Sequence, residues 1–210
     1  MRKIVVISTN AAGISVERGQ SLTSLSARKT AIYKLLLKVR RGKVNDYYIA
    51  GMCASWIAGQ GALPRWMGLA PRMFREMLDF HFNSASRTIF LNSKYLLPER
   101  NGDEIIDLRQ LLLANRAGRS RSERWIAELI CAACMGRDHL WSDLGLMSRL
   151  QLSELIHLNF PRLAILNSKN MRWKKFLYKK LCEGEGLYIC RAPSCEMCLE
   201  RPLCFAPDSD

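Results

Sequence analysis

Four of the eight cysteines in the chain lie close together near its carboxyl end. They follow the spacing Cys190-x4-Cys195-x2-Cys198-x5-Cys204, which places four thiols within fifteen residues. Prolines interrupt this stretch and no long apolar run crosses it, so hydrophobic burial cannot order it as a helix or strand. A metal centre bound by four thiolates would order it, because the free energy of metal binding then becomes free energy of folding. The spacing therefore predicts a metal site.

The identity of the metal follows less directly from the spacing. Structural zinc sites usually combine two closely spaced cysteine pairs separated by a longer loop. Here a single close pair, Cys195 and Cys198, has one cysteine at intermediate spacing on either side. That arrangement is similar to the compact loops that hold cubane iron–sulfur clusters. The ligand types favour an iron–sulfur cluster and leave zinc and free thiols as alternatives.

The other cysteines have different expected roles. Cys131 and Cys134 lie three residues apart in a predicted helix and therefore share a face. Free cysteine is among the most buried residue types, which predicts core packing for Cys131 and for Cys53. The role of Cys134 stays open. Cys182 ends a helix that leads into the tail, so we expect it near the metal site without binding the metal.

One of the three histidines stands in a setting that could bind metal. His81 lies at the end of an amphipathic helix, where a structural role is expected. His157 lies beside Ile156 and Leu158, where a half-buried structural role is expected. His139 lies in a tight polar turn that is interrupted by Leu140 and Trp141. A neutral imidazole in such a turn is a possible metal ligand, and Cys134 is the cysteine nearest to it in sequence.

The charge of the chain narrows the classes of partner. Its 32 basic and 19 acidic residues give a net charge of +13. This surplus indicates an anionic partner such as nucleic acid, an acidic protein or small oxyanions, or else a basic surface that only keeps the protein in solution. Apolar residues make up 49% and charged residues 24%, which excludes wholesale disorder, collagen and coiled coil.

The apolar runs and the cysteine content bear on location. No apolar run approaches the roughly 18 residues that a membrane span requires. The apolar stretch near the N-terminus is too short for a secretory signal. Eight cysteines without such a signal indicate metal or redox chemistry in a reducing compartment, which predicts a cytoplasmic protein.

The elements that must position these residues are predicted to be helices. Apolar residues recur at helical spacing along most of the chain, and turn residues separate the periodic segments. We predict an all-α fold, an orthogonal helical bundle with an irregular C-terminal four-cysteine metal-cluster loop. A basic N-terminal segment of uncertain structure spans residues 1–45, the helical domain 46–183 and the cysteine-rich tail 184–210. Residues 83–102 are predicted to be an irregular connector.

Capping residues predict where individual helices begin. Asp46, Ser122, Ser148 and Ser168 each precede a periodic apolar segment and are expected as N-caps. Pro71 fits the first position of a helix.

Five stretches together resemble one known family. They are residues 138–146 (DHLWSDLGL), 170–178 (NMRWKKFLY), 181–183 (LCE), 56–64 (WIAGQGALP) and 111–118 (LLLANRAG). With the four-cysteine spacing, they make the chain similar to the NifQ family of nitrogen-fixation proteins. The resemblance runs from about residue 46 to about residue 206.

The resemblance implies a function and a set of ligands. It implies a cytoplasmic protein that is not an enzyme, carries an iron–sulfur cluster that can include molybdenum, and supplies molybdenum for the nitrogenase iron–molybdenum cofactor. The implied partners are the cofactor-assembly scaffold, the nitrogenase iron protein, and molybdate or a thiolated molybdenum species, with neither membrane nor nucleic acid. The cluster ligands fall on Cys190, Cys195, Cys198 and Cys204. We add His139 and Cys134 as hypothetical molybdenum ligands.

Two other functional classes share some of these features. Helix–hairpin–helix DNA glycosylases are basic and helical and carry a C-terminal four-cysteine iron–sulfur loop. They need a glycine-rich hairpin and a catalytic aspartate, and residues 59–64 (GQGALP) do not supply that pattern. A zinc-stabilised interaction module is the other alternative.

Overall fold

The structure is a computed structural model that describes residues 11–91 and 103–184 together with Pro202. Within these residues the secondary structure is helical, apart from one isolated antiparallel bridge between Arg40 and Phe82. The all-α class is therefore confirmed, while the orthogonal arrangement and the four-cysteine loop stay predictions. The α-helices of the described residues are α1 (Ala11–Lys38), α2 (Asp46–Ile57), α3 (Pro71–His81), α4 (Arg87–Leu91), α5 (Asp103–Ala114), α6 (Ser122–Cys134), α7 (Leu140–Leu144), α8 (Arg149–Asn159), α9 (Pro161–Leu166) and α10 (Trp173–Gly184).

Helices α2 and α6 form the centre of the core. Ten of the 12 residues of α2 and ten of the 13 residues of α6 are buried. A helix that is buried on nearly all sides belongs to the interior of a helical protein. Helix α1 packs against α2, while α5 and α7 pack against α6. Cys53 and Cys131 lie in this core, as predicted.

Several helix boundaries confirm the sequence-based expectations. Pro71 is the first residue of α3. The Ser148 hydroxyl caps α8 by accepting a hydrogen bond from the Gln151 N–H at 3.2 Å. Helix α8 ends at Asn159, before Pro161, whose ring restricts the preceding residue.

Other boundary predictions are wrong. Asp46 and Ser122 are the first residues of their helices rather than N-caps, because their side chains bond to His81 instead. Ser168 caps no helix, since α10 begins at Trp173. The described part of the predicted connector 83–102 contains a 3-10 turn, Ser84–Ser86, followed by α4.

The end of the basic N-terminal segment joins the same core. Leu36 is fully buried. The Val39 carbonyl accepts the Asn83 N–H at 2.9 Å, and the Arg41 N–H donates to the His81 carbonyl at 2.8 Å. These bonds fix the residues after α1 against the end of α3.

A chain of buried polar groups connects α2, α3 and α6. His81 Nδ1 lies 2.7 Å from Asp46 Oδ1, and His81 Nε2 lies 3.0 Å from the Ser122 hydroxyl. Asp46 Oδ2 accepts the Lys43 N–H at 2.7 Å. A neutral imidazole that donates from Nδ1 and accepts at Nε2 satisfies every one of these contacts, as buried polar groups require. Ser122 has no exposed surface. The Asp46–His81–Ser122 chain therefore joins helices, and its hydroxyl cannot act as a nucleophile on a substrate.

No helix in the part of the chain that the structure describes combines the length and the apolar character needed to cross a membrane.

The buried histidine makes stability depend on pH. Burial lowers the pKa of His81 below its ordinary 6.5 by more than the contact with Asp46 raises it. The unfolded chain therefore binds a proton below pH 6.5 that the native state does not bind. We expect the free energy of unfolding, measured by urea denaturation, to fall as the pH drops below 6.5.

The histidine responsible can be identified by substitution. His81→Gln is expected to be less stable at neutral pH and to lose part of this pH dependence, whereas His157→Gln, at an exposed position, keeps it. If the free energy of unfolding of His81→Gln depended on pH as strongly as that of the wild type, His81 would not be the responsible group.

Candidate functional site

The four cysteines predicted as metal ligands, Cys190, Cys195, Cys198 and Cys204, lie outside the described residues. Helix α10 ends at Gly184, shortly before the first of them. The described structure therefore shows how the chain is held at the point where it enters the cysteine-rich tail.

Helix α10 is fixed by its apolar face and by one charged side chain. Trp173, Phe176 and Leu177 are buried, and the Trp173 indole donates to the Ser153 hydroxyl at 3.0 Å. From the same turn, the Lys174 ammonium contacts the carboxylate of Asp143. Lys174 also donates to the main-chain carbonyl of Gly136, just after α6, at 3.1 Å.

Asp143 is the point at which several segments meet. Besides Lys174, its carboxylate accepts the Asp138 N–H at 3.1 Å. Its N–H donates to the His139 carbonyl at 2.9 Å, and its carbonyl accepts the Ala62 N–H at 2.8 Å. Its side chain is 7% exposed, so the negative charge is largely removed from water and requires a partner. One residue thus joins the loop after α2, the turn before α7, and α10.

Two glycines allow the backbone to come this close to Asp143. A Cβ at Gly136 would collide with the Asp143 carboxylate group. Gly61 has a φ of +81°, and a Cβ there would lie 2.8 Å from the Asp143 carbonyl oxygen. Both positions therefore require glycine for close approach of the main chain.

Cys134 lies at the end of α6, beside this charged pair. It is 5% exposed. Burial raises the pKa of its thiol to about 12, while the nearby Lys174 ammonium opposes that shift and Asp143 adds to it. Burial also raises the pKa of Cys131. Both side chains are thiols at neutral pH, and a metal would have to displace the proton.

His139 occupies the N-cap position of α7, with its side chain half-buried. The carboxylate of Asp138 organises this turn by accepting the His139 N–H at 2.7 Å and the Ser142 hydroxyl at 2.8 Å. These hydrogen bonds, led by that from Ser142, lower the pKa of Asp138. The backbone of the turn is thus held in place from both sides, by Asp138 and by Asp143.

The described residues include no group of three or more His, Cys, Asp or Glu side chains placed to hold a metal ion. His139 and Cys134 therefore stay predictions as molybdenum ligands. Cys182 is partly exposed on α10, on the way to the tail.

Sequence reasoning missed the pairing of Lys174 with Asp143. Helical spacing places Lys174 on a basic helix face, whose charge we expected to offset that of a thiolate-bound cluster, and no role was assigned to the aspartate. A signal was present, since Asp143 lies in residues 138–146 and Lys174 lies in 170–178. These are two of the stretches on which the family resemblance rests.

Comparison with known proteins identifies the family. The NifQ family model matches residues 48–206, which include all four tail cysteines. The chain belongs to the NifQ family. This assignment confirms the resemblance seen in the sequence and places the protein in nitrogen fixation.

Individual relatives match over most of the chain. Protein NifQ of Azotobacter vinelandii is 42% identical over 180 residues, covering 81% of this chain and 92% of that protein. Protein NifQ of Klebsiella pneumoniae is 38% identical over 154 residues, covering 70% and 90% respectively. A NifQ homolog of Sinorhizobium fredii is 41% identical over 149 residues, covering 70% of this chain and 64% of that protein. No solved structure matches the chain.

Removal of the Lys174 charge should weaken the fold. In Lys174→Met, Asp143 keeps its buried charge without the cation, so we expect the free energy of unfolding to fall by about 3 kcal/mol. Urea denaturation followed by circular dichroism measures the change. The matched control Lys169→Met removes an exposed lysine and should change stability by less than about 0.5 kcal/mol.

A double substitution separates the lost pair from a general packing defect. Adding Asp143→Asn to Lys174→Met removes the unpaired charge and should restore part of the loss. Equal losses in the lysine variant and its control would contradict the role given to this ion pair.

Proposed function

We propose that this NifQ family member is an iron–sulfur and molybdenum carrier that supplies molybdenum for assembly of the nitrogenase iron–molybdenum cofactor. The observation that carries the proposal is the run of four cysteines, which lies inside the family match. Four thiols within fifteen residues are a donor set suited to a cubane cluster. Cys190, Cys195, Cys198 and Cys204 would hold it, and when bound it supplies thiolate-ligated iron and bridging sulfide.

The described helices support a carrier by fixing one end of the ligand-bearing segment. The tail follows α10, and α10 is held to the rest of the protein by the Lys174–Asp143 pair and by Trp173. A centre held by four thiols from one short segment can be exchanged more readily than one enclosed in a core. We propose that the protein is a donor rather than a turnover enzyme and acts in the cytoplasm.

The molybdenum cargo needs ligands suited to two chemical forms. Molybdate is a hard oxyanion that a basic surface attracts, and reduced, thiolated molybdenum prefers sulfur ligands. We propose Cys134 and His139 as additional ligands for the cargo. Cys134 ends α6 and His139 lies at the N-cap position of α7, so both belong to one short connection. Burial raises the pKa of the Cys134 thiol, and the nearby Lys174 ammonium offsets part of that rise.

The recipients follow from the same proposal. The cofactor-assembly scaffold and the nitrogenase iron protein are the proposed partners for delivery. A net charge of +13 favours docking to acidic surfaces.

Metal content tests the ligand assignment. Protein purified without oxygen should be brown and contain iron, acid-labile sulfide and molybdenum, as measured by metal analysis and absorption spectroscopy. Cys198→Ser should lose most of its iron and the visible absorption, because serine oxygen replaces one of the thiolates that this cluster type requires. Cys53→Ala, a buried cysteine of the core, is the control and should keep the iron.

The same preparation distinguishes the alternative functions. A folded, colourless protein with one bound zinc would support the interaction module. Iron together with DNA affinity that falls steeply with salt would support the glycosylase-like alternative. Full iron and molybdenum in Cys198→Ser would show that the ligand assignment is wrong.

The proposed role of Cys134 can be separated from that of the tail. Cys134→Ala should keep iron and lose molybdenum, because it removes a sulfur proposed for the cargo alone. Cys131→Ala removes the other buried thiol of the same helix and should keep both metals. Molybdenum-to-iron ratios of the two variants provide the measurement, and equal ratios would contradict the role of Cys134.

A further inference from the structure

A surface cleft lies between α3 and the loop that joins α5 to α6. Its volume is about 510 Å³, within the usual range of binding sites. The cleft is separate from the residues around Asp143. Its lining includes four exposed arginines from one short stretch of sequence, Arg116, Arg119, Arg121 and Arg124.

The carboxylates of the cleft are already engaged elsewhere. Glu76 pairs with Arg72 at 3.0 Å, outside the cleft lining. Glu123 is 2% exposed and accepts the N–H groups of residues 118, 119 and 120 at 2.7 to 2.9 Å. Within the described part of the chain, the side chains of Arg116, Arg119 and Arg124 have no ion-pair or hydrogen-bond partner. Their charge is thus available to a bound anion.

The backbone that carries the arginines is rigidly held. Glu123 fixes the loop before α6 through its three hydrogen bonds. The Ser120 hydroxyl lies 3.0 Å from that of Ser122, which in turn contacts the buried His81. The loop is therefore connected to the polar chain that joins α2, α3 and α6. A preordered loop loses less conformational entropy when a partner binds.

Aromatic side chains support one of the arginines. The Arg121 guanidinium lies 5.9 Å from the centre of the Phe80 ring and 5.7 Å from that of Trp125. The Lys43 ammonium lies 5.2 Å from the same Phe80 ring, which extends the positive surface beyond the cleft. These ring contacts hold the Arg121 guanidinium in place beside the cleft.

We propose that this arginine cleft docks a carboxylate-rich segment of a partner protein. Guanidinium groups bind carboxylates with two parallel hydrogen bonds, so four of them spread over an open cleft suit several side chains along one segment. A single tetrahedral oxyanion is much smaller than the cleft and would contact only part of it. The loop N–H groups that would otherwise bind such an ion already donate to Glu123.

The experiment compares two double variants of the full chain that lose the same charge. Arg119→Ala/Arg124→Ala changes the cleft, and Arg28→Ala/Arg162→Ala removes two exposed arginines elsewhere. The probe is a fluorescein-labelled oligoglutamate peptide, and its dissociation constant is measured by fluorescence anisotropy at near-physiological salt. We expect the cleft variant to bind the peptide about tenfold more weakly than the control variant.

The other outcomes overturn the proposal. Equal weakening in both variants would mean a general attraction to a basic protein. Inorganic phosphate or molybdate that saturates the cleft and displaces the peptide would identify an oxyanion site instead. A duplex DNA oligonucleotide that binds the cleft more tightly than the peptide would identify a nucleic-acid surface.

This proposal rests on the proposed carrier function in one respect: a carrier must bind the protein that receives its cargo. The peptide experiment uses the full chain as purified, and because the arginine variants keep all cysteines, the metal content of the same samples is measured beside peptide binding. The metal content of the cysteine variants therefore tests the carrier function, and peptide binding by the arginine variants separately tests the docking cleft. Circular dichroism of both double variants establishes that neither effect comes from unfolding.

Discussion

The carboxylate of Asp143 is a buried negative charge, and the C-terminal half of the described structure is arranged around its neutralisation. Lys174 supplies the positive charge from α10, and the Asp138 N–H in the turn before α7 supplies a further polar contact. A buried carboxylate without such partners would destabilise the fold by several kcal/mol. The need to satisfy this one group, together with the buried apolar face of α10, fixes where α10 lies and where the cysteine-rich tail begins.

A second set of buried polar contacts fixes how helices pack at the other end of the core. Asp46, His81 and Ser122 connect the two central helices through α3, and Ser120 continues the chain to the loop before α6. In both places polar contacts require one specific packing of the helices, whereas apolar contacts alone would allow many. The ion pair with Asp143 positions the segment that carries the thiols. The chain through His81 positions the loop that carries the arginines.

Under the proposed function, these two regions correspond to two tasks of a carrier. We propose that the first holds the cargo through sulfur ligands and that the second recognises a partner through a charged surface. On that proposal, a change in cargo need not change the docking surface. Cys134, the proposed cargo ligand, is buried next to both charges of the ion pair.

The sequence by itself determined the features that depend on local spacing. Four thiols within fifteen residues predict a metal site, and the helical period together with Pro71 and Ser148 predicts an all-α fold with correct starts for two helices. The tertiary structure decided which distant polar groups meet. Asp46 and His81 are 35 positions apart, and Asp143 and Lys174 are 31 apart. A capping pattern cannot tell that Asp46 and Ser122 bond to a histidine rather than to their own helices, because that choice depends on what packs against them.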